Sequence, residues 1–277
     1  MSLFITSLNS GSNGNCYYIG NKSDAVLIDA GLSCRETEKR MKLLGLSMQR
    51  VRAIFISHEH TDHIKGVPVI AEKFSIPVYI TTATLKSCWG INPSTTKKLS
   101  SFEPVDIGSL SVTAFPKNHD AEDPHSFIIT GNGVTIGVLT DIGASCDHVT
   151  KHFKQCHAAF LEANYDEELL ENGKYPFFLK KRIRDGRGHL SNKQALEIFA
   201  DHRPPFMSHL FLSHLSKDNN CPVKAKALFE LDAGEIKIIV ASRYTQTPVY
   251  EITCKANTPT CIKSMILRSV QMSLFQF

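Results

Sequence analysis

Residues 53–63 read Ala53-Ile54-Phe55-Ile56-Ser57-His58-Glu59-His60-Thr61-Asp62-His63, an apolar run that stops at three imidazoles and two carboxylates. A short apolar run of this kind predicts a buried strand, and the polar residues behind it predict a tight loop at the strand's end. Borderline-soft divalent cations prefer imidazole nitrogen and carboxylate oxygen, and a turn after a strand splays alternate side chains around an ion. His58 and His60 can share one metal, while Asp62 and His63, turned the other way, can hold a second. The competing reading is a polar loop rich in histidine by chance. It is disfavoured because polar groups at the end of a buried strand need partners.

Outward from this loop the same order recurs. Upstream, residues 4–8 and 16–19 look like strands flanking Ser10-Gly11-Ser12-Asn13-Gly14-Asn15, and a third strand, 25–28, ends at Asp29. A helix follows, with Ser33 as its cap and Gly45 at its stop. Downstream, 64–74 is predicted helical and 78–80 a strand. Between 110 and 138 the strands become closely spaced, with Gly131-Asn132-Gly133 as a hairpin turn. After Asp141 the pattern predicts a helix at 147–155, a strand at 158–161, a helix opened by the capping box Ser191-Asn192-Lys193-Gln194, and a strand at 206–212 ending at Ser213-His214. A helix at 223–231 and strands at 236–241 and 249–253 close the series. Two halves with helices after strands predict an α/β fold of two sheets packed face to face with helices outside. One domain is expected over 1–253, with 254–277 a C-terminal extension that reads equally as a packed helix or a loose tail.

Composition narrows the setting. A chain of 277 residues, 42% hydrophobic and 21% charged, is long enough for one large core. Eight scattered cysteines without a CxxC pair suggest reduced thiols and a cytoplasmic location. The first residues show no export signal, and no apolar run reaches the ~18 residues of a membrane span. With a net charge of +4, any nucleic-acid footprint must be local.

Three further residues of ligand type occupy strand ends: His119 within Lys117-Asn118-His119-Asp120, Asp141, and His214. Singly, each is most simply a turn residue. Jointly they complete a count in which His58, His60 and His119 take one ion, Asp62, His63 and His214 the other, and Asp141 bridges.

With these pieces in order the sequence resembles the metallo-β-lactamase-fold hydrolases, on Asp29, the His-x-His-x-Asp-His element, His119, Asp141 and His214. The resemblance implies an αββα sandwich of two mixed sheets with a two-metal site at one edge, and a supporting role for Asp29 beside the metal loop. True β-lactamases of the fold commonly carry cysteine where Asp141 stands, and flavodiiron proteins glutamate where His60 stands. The stretch from Asp141 to His214 is too short for the inserted domain of the RNA-processing β-CASP branch. The chain is more similar to the WalJ (YycJ) group, on Ser10 to Asn15, on Arg187-Gly188-His189-Leu190-Ser191-Asn192 and on Leu212-Ser213-His214-Leu215-Ser216 with Asn219-Asn220. That similarity implies 5′-to-3′ exonuclease chemistry on DNA.

The residues themselves favour a phosphodiester over an uncharged substrate. Lys180-Lys181-Arg182-Ile183-Arg184 and Arg187 run into His189, although a solvated helix face would look the same. Ser10, Ser12, Asn13 and Asn15 are candidate phosphate contacts, as are Arg187 and His189. The expected mechanism is attack by a hydroxide shared between two cations, with Asp62 and His189 as catalytic residues and His189 donating a proton to the leaving alkoxide. Zinc or manganese suits the donor set, and iron is compatible. The alternatives are a thioester or lactone hydrolase of the glyoxalase II kind using the same ligands, and a non-catalytic scaffold.

Overall fold

A computed structural model describes residues 2–254. The expected extension therefore lies outside the described residues, apart from the exposed Cys254. Strands β1 (Ser2–Asn9), β2 (Cys16–Gly20), β3 (Ala25–Ile28), β4 (Val51–Phe55), β5 (Val78–Ile80) and β6 (Thr96–Lys98) form one sheet, closed at its first edge by β14 (Tyr250–Thr253) in the order β14-β1-β2-β3-β4-β5-β6. The second sheet contains β7 (Pro104–Ile107), β8 (Leu110–Pro116), β9 (His125–Gly131), β10 (Val134–Leu139), β11 (Ala158–Glu162), β12 (His209–Ser213) and β13 (Lys237–Val240), ordered β13-β12-β11-β10-β9-β8-β7. Both sheets are mixed. Strands β3 to β6 run parallel, as do β10 to β13, while β7 to β10 form an antiparallel meander. The turn between β9 and β10 has Asn132 at φ 54° and Gly133 at φ 75°, the left-handed pair that a two-residue hairpin needs to match strand twist.

Alternation along the strands builds the layers. Val26, Ile28, Ala53 and Phe55 point inward and meet Val112, Phe127, Ile136, Phe160 and Phe211 of the other sheet. Leu27, Ile54 and Ile56 point outward onto helices α1 (Cys34–Leu43) and α3 (Val67–Phe74), through Met41 and Ile70. On the far face Leu139, Leu161 and Leu212 pack against α5 (Asp147–Phe153), α8 (Asn192–His202) and α9 (Pro222–Glu230), through Phe153, Phe199 and Phe229. Three apolar layers separate four structural ones, so the fold is the expected αββα sandwich. The capping box forms, with Ser191 and Gln194 satisfying each other's backbone amides.

The predicted helix 64–74 is instead two helices, α2 (Thr61–Ile64) and α3, broken at Gly66. Gly66 N–H donates to Ala30 O at 2.8 Å, and a Cβ there would lie 1.9 Å from Leu32 O, so the chain must turn where the metal loop meets the β3 end. Pro68 then sits in the first turn of α3, where its missing N–H costs nothing. Three short helices escaped the sequence reading: α4 (Thr82–Ser87), α6 (Glu167–Asn172) and α7 (Phe177–Arg184). Helix α7 buries none of its residues, and its run of four basic side chains reads from sequence as a solvated surface. No helix among the described residues is long and apolar enough to cross a membrane.

Candidate metal centre

Parallel strands end on one edge, and that edge carries the chemistry. Asp29 follows β3, Ser57 and His58 follow β4, His119 follows β8, Asp141 follows β10, Glu162 ends β11 and His214 follows β12. Asp29, Asp141 and His214 all hold left-handed backbone, at φ 58°, 54° and 57°. Such conformations are uncommon for residues with a Cβ and persist where surrounding structure enforces them.

The side chains gather into groups able to hold a metal ion. The potential ligand atoms of His58, His60 and His119 lie within 4.8 Å of one another, and so do those of Asp62, His63 and His214. His58 Nε2 stands 3.0 Å from His60 Nδ1. Asp62 Oδ2 is 3.6 Å from both His63 Nε2 and His214 Nε2. Asp141 sits between the groups, its Oδ2 3.3 Å from His63 Nε2 and its Oδ1 4.0 Å from His119 Nε2.

The far side of three of these rings is held by a neighbouring oxygen. His63 Nδ1 donates to Asp29 Oδ2 at 2.7 Å, His119 Nδ1 to Gly188 O at 3.0 Å, and His214 Nδ1 to Glu162 Oε1 at 3.1 Å. Ser57, bonded through N–H and Oγ to the two oxygens of Asp29, keeps that carboxylate in place. Each of these three rings thus aims Nε2 at the centre, the orientation a metal ligand requires. His119 Nε2, His214 Nε2 and Asp141 Oδ2 are buried and lack hydrogen bonds. Buried polar atoms left without partners are rare, and divalent cations held by these nitrogen and oxygen donors would satisfy them.

Charge reinforces this fit. Burial pushes the His63 imidazole towards the neutral form, but the carboxylates of Asp141, Asp29 and Asp62 outweigh it and hold its pKa well above the ordinary value. His214 rises likewise to about 10, where burial is overcome first by Asp141. Burial opposes ionisation of Asp62, yet His63 and His214 bring it down to about 2. Without cations, protons must occupy this carboxylate-rich pocket. His58 and His119 are driven the other way, chiefly by burial, with His119 at about 4.

Several expected residues take unexpected places. Ser10 and Asn15 were anticipated as phosphate contacts but are buried: Ser10 Oγ accepts from His214 N–H at 2.7 Å, and Asn15 Nδ2 reaches Asp62 Oδ2 at 3.1 Å. They brace metal-loop residues. The amides of Ser10, Gly11, Gly14 and Asn15 are spent within the protein, which removes them as anion donors. Asn13 bonds Arg243 O, and only Ser12 of this loop lines the cleft. Arg187 is exposed and lies outside the cleft lining, where the cation is Arg182. His189 does line it, with Nδ1 2.8 Å from Glu162 Oε1.

Glu162 is the principal residue that sequence reasoning missed. Its Oε1 accepts from His189 and His214, and its Oε2 from the amides of Ile142 and Leu190. Its signal was the one that exposed Asp29 and Asp141, an acidic residue at a strand end. Lys117, also buried, donates to Thr140 O at 2.6 Å behind the Asp141 turn. The cleft over these groups has a volume near 340 Å³ and is walled by Tyr175, Leu179, Arg182 and Ile183.

A family profile described as Beta-lactamase superfamily domain matches residues 24–214, from the strand before Asp29 to His214. The chain belongs to that superfamily. Within the superfamily it is 36% identical over 224 residues to Exodeoxyribonuclease YycJ of Bacillus anthracis, covering 79% of this chain and 85% of that protein. Exodeoxyribonuclease WalJ of Streptococcus pneumoniae (serotype 2, strain D39) is 30% identical over 259 residues, 88% of this chain and 96% of WalJ. These two place the chain in the YycJ/WalJ group of metallo-β-lactamase-fold hydrolases. The metallo-β-lactamase-fold protein YhfI of Bacillus subtilis superposes with a TM-score of 0.70 over 91% of this chain and 100% of YhfI, at 16% identity, a likeness of fold.

Proposed function

We propose that this hydrolase is a two-metal phosphodiesterase that degrades DNA from a 5′ end. The observation that carries the reading is His189, held by the buried Glu162 carboxylate and facing the cleft between the two donor groups. Beside the apolar Tyr175, Leu179 and Ile183, the cleft wall carries His189 and Arg182, groups suited to a phosphate. The names of the YycJ and WalJ relatives support DNA as the substrate.

Two divalent ions, zinc or manganese, held by His58, His60, His119 and by Asp62, His63, His214 with Asp141 between, would supply Lewis acidity and an activated water. Asp62, fixed by Asn15, accepts the proton of the attacking water. His189, whose Nδ1–H is committed to Glu162, uses Nε2 to protonate the departing alkoxide. Arg182, paired with Asp120 at 2.6 Å, exchanges that partner for a phosphate oxygen. Asp29 and Glu162 hold the His63, His189 and His214 imidazoles in fixed orientation.

The test is metal-reconstituted protein against 5′-labelled single- and double-stranded DNA and RNA, with Asp62→Ala as control. Progressive shortening of DNA from the 5′ end, lost in the variant, is expected. Efficient thioester hydrolysis with no nuclease activity overturns the reading.

A further inference from the structure

Helix α7 is the one element beside the cleft that is not committed to the core, and its surface is unusual. Phe177 is 73% exposed and Phe178 72%, adjacent aromatics at the first turn. The rest of the helix carries Lys180, Lys181, Arg182 and Arg184 and no acidic residue. Exposed apolar pairs on a soluble domain mark contact surfaces, and the surrounding charge decides what they contact.

Helical spacing connects this pair to the active site. Residues three and four apart share a face, so Phe178 lies one turn from Lys181 and Arg182, and Phe177 one turn from Lys180 and Lys181. Arg182, with Leu179 and Ile183, lines the cleft. The face that begins with Phe178 therefore runs through Lys181 into the wall that also carries His189. Arg182 pairs with Asp120 and Arg184 with Glu171, and Lys180 donates to Glu171 O. Lys181 has no ion-pair partner among the described residues. Aromatic faces beside unpaired cations match a strand that alternates flat bases with phosphates. A second copy of the chain fits poorly, because pairing this face with itself would oppose two basic helices.

Building on the phosphodiesterase reading, we propose that α7 is the landing surface for an unpaired nucleic-acid strand, with Phe177 and Phe178 stacking on bases while Lys181 and Arg182 guide the backbone into the cleft. The platform acts outside the metal centre, on nucleotides flanking the one cleaved.

The experiment separates binding from cleavage. Fluorescence anisotropy with 5′-labelled oligothymidylate is measured on the full chain, metal-free, for wild type, the double variant F177A/F178A, the double variant F177W/F178W and K181A. Base stacking on one aromatic predicts roughly ten-fold or greater loss of affinity in the alanine variant and retention in the tryptophan variant, since tryptophan also stacks. K181A should lower the salt dependence by about one phosphate contact. Sedimentation on the same proteins reports self-association. Equal binding by wild type and F177A/F178A, absence of binding by the wild type, or conversion of a wild-type dimer to a monomer in F177A/F178A each overturns the platform. Tight wild-type binding without cleavage after metal addition would leave the platform standing and refute the phosphodiesterase assignment alone.

Discussion

His189 and Glu162 concentrate the chemistry of this site into one hydrogen bond. Glu162 accepts four donors, two imidazoles on Oε1 and two backbone amides on Oε2, so it has no spare lone pair for a proton and is held ionised at about 2, where burial is outweighed by His189 and other imidazole contacts. Glu162→Gln forces an amide N–H₂ against one of these donor pairs. Metal affinity should fall roughly 10–100-fold, as for other partners of ligating histidines, measurable by titration with a chromophoric chelator. His189→Ala removes the proposed proton donor while leaving the ligand set intact. Turnover of DNA should drop ~10²–10⁴-fold with unchanged metal content by elemental analysis; loss of metal would instead make His189 a ligand.

Loops at strand ends set the positions of these side chains through backbone contacts that tolerate little change. The turn after β3 brings Gly31 so close to the metal loop that a Cβ would stand 1.7 Å from Asp62 O, and Gly31 N–H bonds Asn15 O at 2.8 Å. Gly31→Ala should therefore displace Asp62 and lower metal occupancy, with far-ultraviolet circular dichroism near that of the wild type; full occupancy would refute this role. Gly188 is similarly constrained: a Cβ would approach Arg182 O and Ile183 O at 2.2 Å, and its own carbonyl holds His119. Helix α7 is thereby fastened to a metal-ligand candidate through one carbonyl. The loop of Ser10 to Asn15 shows how composition can mislead, because glycine and asparagine there close internal hydrogen bonds around Asp62 and His214.

The sandwich holds the two sets of strand ends together, and its central layer carries that load. Phe160 is fully buried between the sheets, 4.9 Å from Tyr17 and 4.6 Å from Phe211 between ring centroids. Phe160→Ala should cost about 3–5 kcal/mol, seen as a lower denaturant midpoint. The metal-free protein should also lose stability as pH rises. His214, raised from 6.5 to about 10, and His63, raised in the same direction, contribute stability that is complete below pH 6.5 and lost through about pH 10. Lys117, lowered chiefly by burial, works in the opposite direction. Thermal melts across that range should show a falling Tm without metal and a flatter profile with it, because bound cations replace the protons. The two-sheet fold and the ligand-type residues were legible because strand alternation and a His-x-His-x-Asp-His loop are local patterns that depend on near neighbours. Glu162 meeting His189 and His214, Asn15 bracing Asp62, and Arg182 rather than Arg187 facing the cleft were decided only by the tertiary structure, since each contact joins segments that the parallel strands bring to one edge from distant parts of the chain.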